Sequence, residues 1–545
     1  MRSIKEPFVV APPTGARIRT RLRPTPHDQD VLRAVGEHLG RLANIDLAVR
    51  CRLDRKATQR TARKRALTAQ SSSRWAGSIT RTSDDQWKRA LANLADRRSG
   101  LRRATRMVTA RLAVPVGSRH ERVRGYASAT ERTAKQRRLQ QLLAELNEID
   151  RRLAQADVSV CRGGRQLAKL RHSLGKAGVS EKQWRNRWHA ARWFLTADGD
   201  AGYPLGNGTI QVHPDQQWLE LQLPAPLAHL ANRTRGRYRL ATPVSFSHRQ
   251  DEWAAQVTSG AVRYDISLDT AKGRWYLDAS WRIESVQPPS LQELRRQRVL
   301  GVDLNADHLD CWPLDASGNP IGRPQTIPLV LDGLSDTTRD GRLQSAVASL
   351  MQLAASSGCR SIAIENLDFA KARQVGRETL GRGRRGKVFR KAIAGIPTRR
   401  FRALATGMAA RQGLWVIAVD PGWTSRWGRR YWQAPLRQTT RSSVTVNGHH
   451  AAAAVIARRG LGLGARRRPG VPDHDRRIVA GELPARPDRQ IPGGKGTRPP
   501  GGQRAAVQPC KTRVANRTQP GDQVVQDRSG PPEGIPPPDR PGTVG

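Results

Sequence analysis

Two carboxylates, Asp303 and Glu365, each close an apolar, strand-like run, RVLGVD and SIAIE. Taken singly, Asp303 reads as a strand-end turn residue and Glu365 as a helix-capping carboxylate. Brought together at the ends of paired strands, they would repel each other unless a divalent cation lay between them. Such a pair can hold two Mg²⁺ for in-line attack on a phosphodiester, one ion activating water and the other stabilising the leaving oxygen. Both acids at the expected strand ends therefore read as a present or former metal site. A third candidate lies in VNGHHAAAAVIARRG, residues 446–460, where His449 and His450 open an alanine-rich run that ends in two arginines.

The elements that must position these groups follow from pattern. The stretch RVLGVDLNADHLDCWPLDASGNPIGRPQTIPL predicts an antiparallel meander: a strand ending in Asp303, a second over 309–314, a turn at 316–319 and a third around 326–329. A helix follows over about 338–356, with Leu343, Val347, Leu350 and Ala354 on one face and Gly358 as its stop. The buried strand that delivers Glu365 comes next. A basic segment, GRGRRGKVFRKAIAG, then leads to a helix opened by Pro397 and closed before Gly413. LWVIAVDPGWTS gives a further buried strand, and HHAAAAVIARRG a final short helix. Three hairpin strands, helix, strand, helix, strand, helix is the chain order of the RNase H fold. In that arrangement the ends of the first and fourth strands are neighbours, so Asp303 and Glu365 can converge.

Elsewhere the composition points to a polyanion. The 545 residues hold 95 Lys plus Arg against 46 Asp plus Glu, a formal charge of +49, which a small-molecule metabolic enzyme rarely carries. Five cysteines, Cys51, Cys161, Cys311, Cys359 and Cys510, form no CxxC pair, which excludes a conventional zinc ribbon and offers no disulfide framework. No apolar run approaches the length of a bilayer span, so the expectation is a cytoplasmic, nucleoid-associated protein without a membrane partner.

The chain divides by pattern into five parts. Residues 1–27 are an N-terminal segment. Residues 28–192 form a basic helical lobe, with Leu139, Leu142, Leu143, Leu146, Ile149 and Leu153 in one stripe. Its arginines face phosphate or simply solvent. Residues 193–285 alternate apolar and polar residues in IQVHP, WLELQLP, YRLATPVSFSH, EWAAQVTSG, VRYDISLD and RWYLDASWRI, which predicts a small β-barrel or sandwich. There Trp275, Tyr276 and Trp281 read as core aromatics or as stacking platforms for bases. Residues 298–468 carry the carboxylates. Residues 469–545, rich in Pro, Gly and Arg, bury too little apolar surface to offset chain entropy and are expected to be disordered.

GVDLNADHL, IAIENLDFAKAR and VDPGWTSRWG, in that order, resemble the three signature segments of the TnpB/OrfB proteins of bacterial insertion sequences, which are similar to type V CRISPR effectors in their RuvC nuclease domain. The resemblance implies a transposon-encoded, RNA-guided DNA endonuclease: a multidomain α/β protein with a helical recognition lobe, a β-barrel wedge and an RNase H-like (RuvC) nuclease domain. Its implied partners are DNA and a guide RNA, and its implied cofactor is Mg²⁺ or Mn²⁺. On that pattern Asp303 falls on the first catalytic aspartate, Glu365 on the catalytic glutamate, and His449 on the third acidic position, all three as metal ligands. Asp420, in the VDP segment, is structural. Two departures matter. The family's zinc-binding cysteines are missing from TSRWGRRYWQAPLRQ, so no zinc is expected, and Trp423, Trp427, Tyr431 and Trp432 are expected to fill that space as an apolar cluster. A histidine in place of an aspartate supplies a nitrogen ligand without charge, which suits Mn²⁺ better than Mg²⁺, or orients the attacking water. The alternative is a nuclease-inactive, RNA-guided DNA-binding protein of the same descent. In either case His450 is expected to point elsewhere, as a neighbour of the helix cap. Oligomeric state is not set by the sequence.

Overall fold

Short apolar runs bounded by turns build a six-stranded mixed sheet at the centre of the carboxylate-bearing region. The computed structural model describes residues 4–53, 58–121, 123–284, 286–367, 397–439 and 445–465. The strand order across this sheet is Phe8–Val9 (β1), Trp415–Val419 (β15), Ser361–Glu365 (β14), Val299–Leu304 (β11), His308–Leu314 (β12) and Gln325–Pro328 (β13). β11, β12 and β13 form the expected antiparallel meander, while β14 runs parallel to β11 and β15 parallel to β14. The helices fall where the pattern puts them, at Asp336–Ser356, Thr398–Arg411 and Gly448–Gly460. Gly358 adopts φ +64° as the left-handed stop after the first of these. The basic segment 381–395 and the tail 469–545 lie outside the described residues.

Alternation along the strands divides the core in two. Leu300 and Val302 point to the face covered by Asp336–Ser356 and Thr398–Arg411, packing with Leu343, Val347, Leu350 and Phe401. Val299, Trp312, Ala363 and Ile417 point to the opposite face, under the Gly448–Gly460 helix. Asp303 and Glu365 share the parity of Val299 and Ala363, so they emerge on the face that the last helix covers. Small residues bring that helix down onto the sheet. Ala451, Ala452, Ala453 and Ala454 are wholly buried. A Cβ on Gly301 would lie 2.0 Å from the Ala453 carbonyl oxygen, so only glycine permits this approach.

The N-terminal segment contributes more than its composition suggests. β1 adds an antiparallel edge to β15, pairing Phe8 with Ala418, and Gly15–Leu22 (β2) pairs along its whole length with Arg274–Arg282 (β10). Long helices at Pro26–Arg52, Ser73–Leu112 and Ala129–Ala154 bear out the helical reading of the next region. There a buried network joins Arg63 to Asp46 and Asp84, and Arg50 to Asp84.

The β-barrel expected over 193–285 is corrected. Among the described residues no sheet closes. β2, β10, Arg263–Asp269 (β9) and Thr196–Ala197 (β5) form one open sheet; Ile210–Val212 (β6), Leu219–Gln222 (β7) and Arg237–Arg239 (β8) form another. A two-stranded ribbon, Arg119–His120 (β3) with Val123–Arg124 (β4), lies in the helical region. EWAAQVTSG is not a strand but part of the helix Gln250–Ser259. Its only fully buried side chains, Trp253 and Val257, stand four apart on one helical face, a spacing that a short alternating window hides. Trp275 and Trp281 are core residues, and Tyr276 turns to the other face, where the Arg19 guanidinium sits 5.2 Å from its ring.

Candidate active site

Strand register assembles a row of three carboxylates. In the antiparallel pairing of β11 with β12, Asp303 stands directly opposite Asp310. In the parallel pairing of β11 with β14, Val302 pairs with Ile364, which sets Asp303 beside Glu365 one step further along. Asp310, Asp303 and Glu365 thus occupy three adjacent strands on one face of the sheet. Asp303 and Asp310 are 4% and 0% exposed.

Each acid is held differently. Asp303 Oδ2 lies 2.8 Å from His449 Nδ1 and also accepts from Asn305 Nδ2 at 3.3 Å. The Thr424 hydroxyl donates to Glu365 Oε1. Burial and the nearby Asp303 charge push the Glu365 carboxyl up to about 7, against the opposing pull of Thr424 and Arg459. Burial alone would raise Asp310 as well. Hydrogen bonds from His450 and Thr326, the attraction of His450 and a further bond from Asn447 outweigh it and bring the carboxyl down to about 2. The distances are 3.1 Å from His450 Nε2 and 3.0 Å from Asn447 Nδ2.

The Gly448–Gly460 helix locks this arrangement at both ends. At its start Asn447 is the N-cap: its side-chain oxygen accepts from His449 N at 2.9 Å and His450 N at 2.7 Å, and His450 Nδ1 accepts from Asn447 N at 3.3 Å. His449 and His450, adjacent in sequence, thus serve two different carboxylates: His450 takes part in the cap as expected but, instead of pointing elsewhere, reaches Asp310 in the row. At the far end the Arg459 guanidinium donates to the carbonyls of Asp420 and Gly422, pinning the loop after β15. Asp420 itself accepts from Lys5 N at 3.2 Å and Gly422 N at 2.8 Å, a structural role.

The acid–base character of His449 follows from Asp303. Its hydrogen bond to Asp303 raises the imidazole pKa; burial opposes this, the Asp303 and Asp310 charges add to it, and Arg429 pulls it back. Nδ1 is committed to Asp303, while Nε2 makes no hydrogen bond among the described residues. The His308 ring lies edge-on to His449 at 5.4 Å between centroids.

Asp303 and Glu365 suit a divalent cation by their chemistry, since neighbouring carboxylates, one buried and the other half-buried and pushed up by desolvation and by its neighbour's charge, are the pair that such an ion relieves. His449 meets Asp303 directly. Among the described residues, no group of three or more His, Cys, Asp or Glu has the spacing to hold a metal ion. The expected aromatic cluster is corrected at one position: Tyr431 and Trp432 are buried, but Trp423 is exposed.

Sequence reasoning passed over Asp310, Thr424 and His308. The signal for Asp310 was present, because it mirrors Asp303 about the Ala306–Asp307 turn, where Asn305 N bonds the His308 carbonyl.

No family model matches this chain, and no curated protein matches it. Among solved structures, the chain is similar to T. thermophilus RuvC in complex with Holliday junction substrate, at 15% identity and a TM-score of 0.21, over 30% of this chain and 91% of that one. At that score the likeness carries no argument about fold or activity. No helix among the described residues is long and apolar enough to cross a membrane.

Proposed function

We propose that this chain is a metal-dependent DNA endonuclease whose acids stand on an RNase H-like sheet. As the signature segments imply, we take it to be a transposon-encoded, RNA-guided enzyme of the TnpB/OrfB type. One observation carries the reading: Asp303 and Glu365, far apart in sequence, stand side by side on parallel neighbouring strands, where burial and the Asp303 charge push the Glu365 carboxyl up to about 7. A divalent cation held by these two carboxylates would supply positive charge to activate water and stabilise the leaving oxygen.

The chain's own groups have separable tasks in this reading. His449 and Asn305 orient the Asp303 carboxylate, and Thr424 orients Glu365. His449 Nε2 is the atom that takes a proton from water or joins the metal. The basic helical region 28–192 and the sheets of 193–285 hold guide RNA and DNA, in keeping with the formal charge of +49 on the whole chain. Such a protein works at the nucleoid in the cytoplasm.

A second reading, a guide-directed DNA-binding protein without cleavage, is favoured by the want of a three-ligand group among the described residues and by a histidine rather than an acid at 449. A divalent-ion titration separates the two. Cleavage of guide-matched DNA in Mn²⁺ or Mg²⁺ that Asp303→Ala abolishes supports the enzyme; tight binding with no cleavage in either ion supports the second reading. Sequencing the RNA that copurifies tests the guide: a defined element-derived transcript supports it, and bulk cellular RNA counts against it.

A further inference from the structure

Trp423 is the anomaly of the site. It stands 48% exposed, in the left-handed backbone region at φ +68°, where a bulky residue is strained. Glycine would be easier there for a loop, and a core would bury the indole. Neither applies, so the ring is held outward at a conformational cost that the fold does not recover by packing.

What surrounds the ring is cationic. Residues 424–439 form a helical segment with a π turn at Gly428–Trp432. Its inner face, Thr424, Tyr431, Trp432 and Leu436, is buried, and a Cβ on Gly428 would come within 2.6 Å of the Ala452 backbone nitrogen, so this segment is clamped onto the last helix. Its outer face presents Arg426, Arg429 and Arg430, which with Ser425 line an open recess of about 380 Å³. The Arg426 guanidinium lies 5.4 Å from the Trp423 ring centroid. Neither Arg426 nor Arg429 has a carboxylate partner among the described residues. A solvated helix face accounts for the arginines alone, but not for a strained, outward indole with one of them over its ring.

The patch also borders the carboxylate row. Trp423 directly precedes Thr424, the donor to Glu365, and Arg429 reaches toward Gly448, the neighbour of His449. We propose that Trp423 with Arg426 and Arg429 is a platform for unpaired DNA, on which one base stacks against the indole while the arginines take the flanking phosphates. Stacking needs an open base face, which a duplex does not offer, so the occupant is a single strand. The inference rests on the nuclease reading for its purpose, since the platform would lead a strand to Asp303 and Glu365, but not for its chemistry.

The test uses the full chain as purified, in EDTA so that no strand is cut. An oligo-dT strand carrying 5-iodouracil is irradiated in the complex and the crosslinked peptide identified by mass spectrometry; binding is followed by anisotropy of a fluorescein-labelled oligo-dT and of a duplex. We expect the crosslink at Trp423. Trp423→Gly, which suits the positive φ and therefore relieves strain, should weaken single-strand binding roughly 5- to 100-fold, with Trp423→Phe retaining most of it. Arg426→Ala with Arg429→Ala should lower the slope of log affinity against log salt by about 1.4 for a single strand. Crosslinking only elsewhere, or single-strand affinity unchanged in Trp423→Gly, overturns the platform. Metal-dependent cleavage that survives such a result leaves the carboxylate reading standing alone. A crosslink at Trp423 in a chain that never cleaves supports the platform while the nuclease reading falls.

Discussion

His449 and Asp303 are bonded partners: Nδ1 and Oδ2 lie 2.8 Å apart, although 146 positions separate the residues in sequence. The imidazole bonds the carboxylate directly. An aspartate at 449 would set two negative charges against each other where the histidine now supplies a hydrogen bond. A histidine at 449 therefore changes both the charge of the site and the way Asp303 is oriented.

The first consequence concerns metal preference. Wild-type cleavage is expected to run at least about tenfold faster in Mn²⁺ than in Mg²⁺, because a nitrogen donor and a reduced negative charge favour the softer ion. His449→Asp should narrow that ratio, and His449→Ala should lower the rate in both ions by about 10²- to 10⁴-fold. Single-turnover rates in each metal decide the matter; equal rates in the two ions for the wild type would discard this account of position 449.

Glu365 makes a prediction about stability. A carboxyl whose folded pKa is raised to about 7 binds its proton more tightly in the native state than in the unfolded chain. Native stability, measured without divalent ions, should therefore fall as pH rises from about 4.5 through about 7. Glu365→Gln removes that loss and should be more stable than wild type at pH 8 by on the order of 2–3 kcal/mol, while cleavage disappears. Urea unfolding in EDTA at pH 5 and pH 8 tests it, and a variant with the same pH dependence as wild type contradicts it.

Asp310 should behave in the opposite sense. Its folded pKa is depressed to about 2, so its contribution is present above the unfolded value and is lost as pH falls toward 2. Asp310→Asn should cost on the order of 2 kcal/mol at neutral pH, and the gap from wild type should close progressively below about pH 4. Denaturation series at pH 7, 5 and 3 would expose a constant gap, which would mean that packing rather than charge is lost.

Gly301→Ala probes the seat of the last helix. The added methyl would meet the Ala453 carbonyl at 2.0 Å and the Ala457 side chain at 2.7 Å, neither of which can move without lifting the helix. We expect a loss of about 3 kcal/mol or more and a matching fall in activity, since His449 rides on that helix. A near-normal melting temperature would show that the contact is softer than its geometry.

The carboxylates and their strands were legible in the sequence because a buried strand is a short apolar run, and the residue that ends it marks the sheet's edge. Asp303, Glu365 and the order of strands and helices around them follow from such local signals, as does the stop at Gly358. For the aromatics of RWYLDASWR the sequence offered core or stacking platform, and the fold buried Trp275 and Trp281 while turning Tyr276 to the other face. EWAAQVTSG went wrong because four or five residues alternate almost as well as they spiral, and Ala, Gln and Glu let tertiary packing choose the helix.

Charge excess, the paired acids and the missing cysteines belong to the sequence alone, since residue types and their spacing need no folding to be read. Only the folded chain decided that Asp310 completes a row with Asp303 and Glu365, that neighbouring histidines serve different acids, and that Trp423 stands outward. The reason is one of range. Strand register and helix seating bring together groups separated by a hundred residues or more, and their pairing energies depend on distance and burial, which no local pattern encodes.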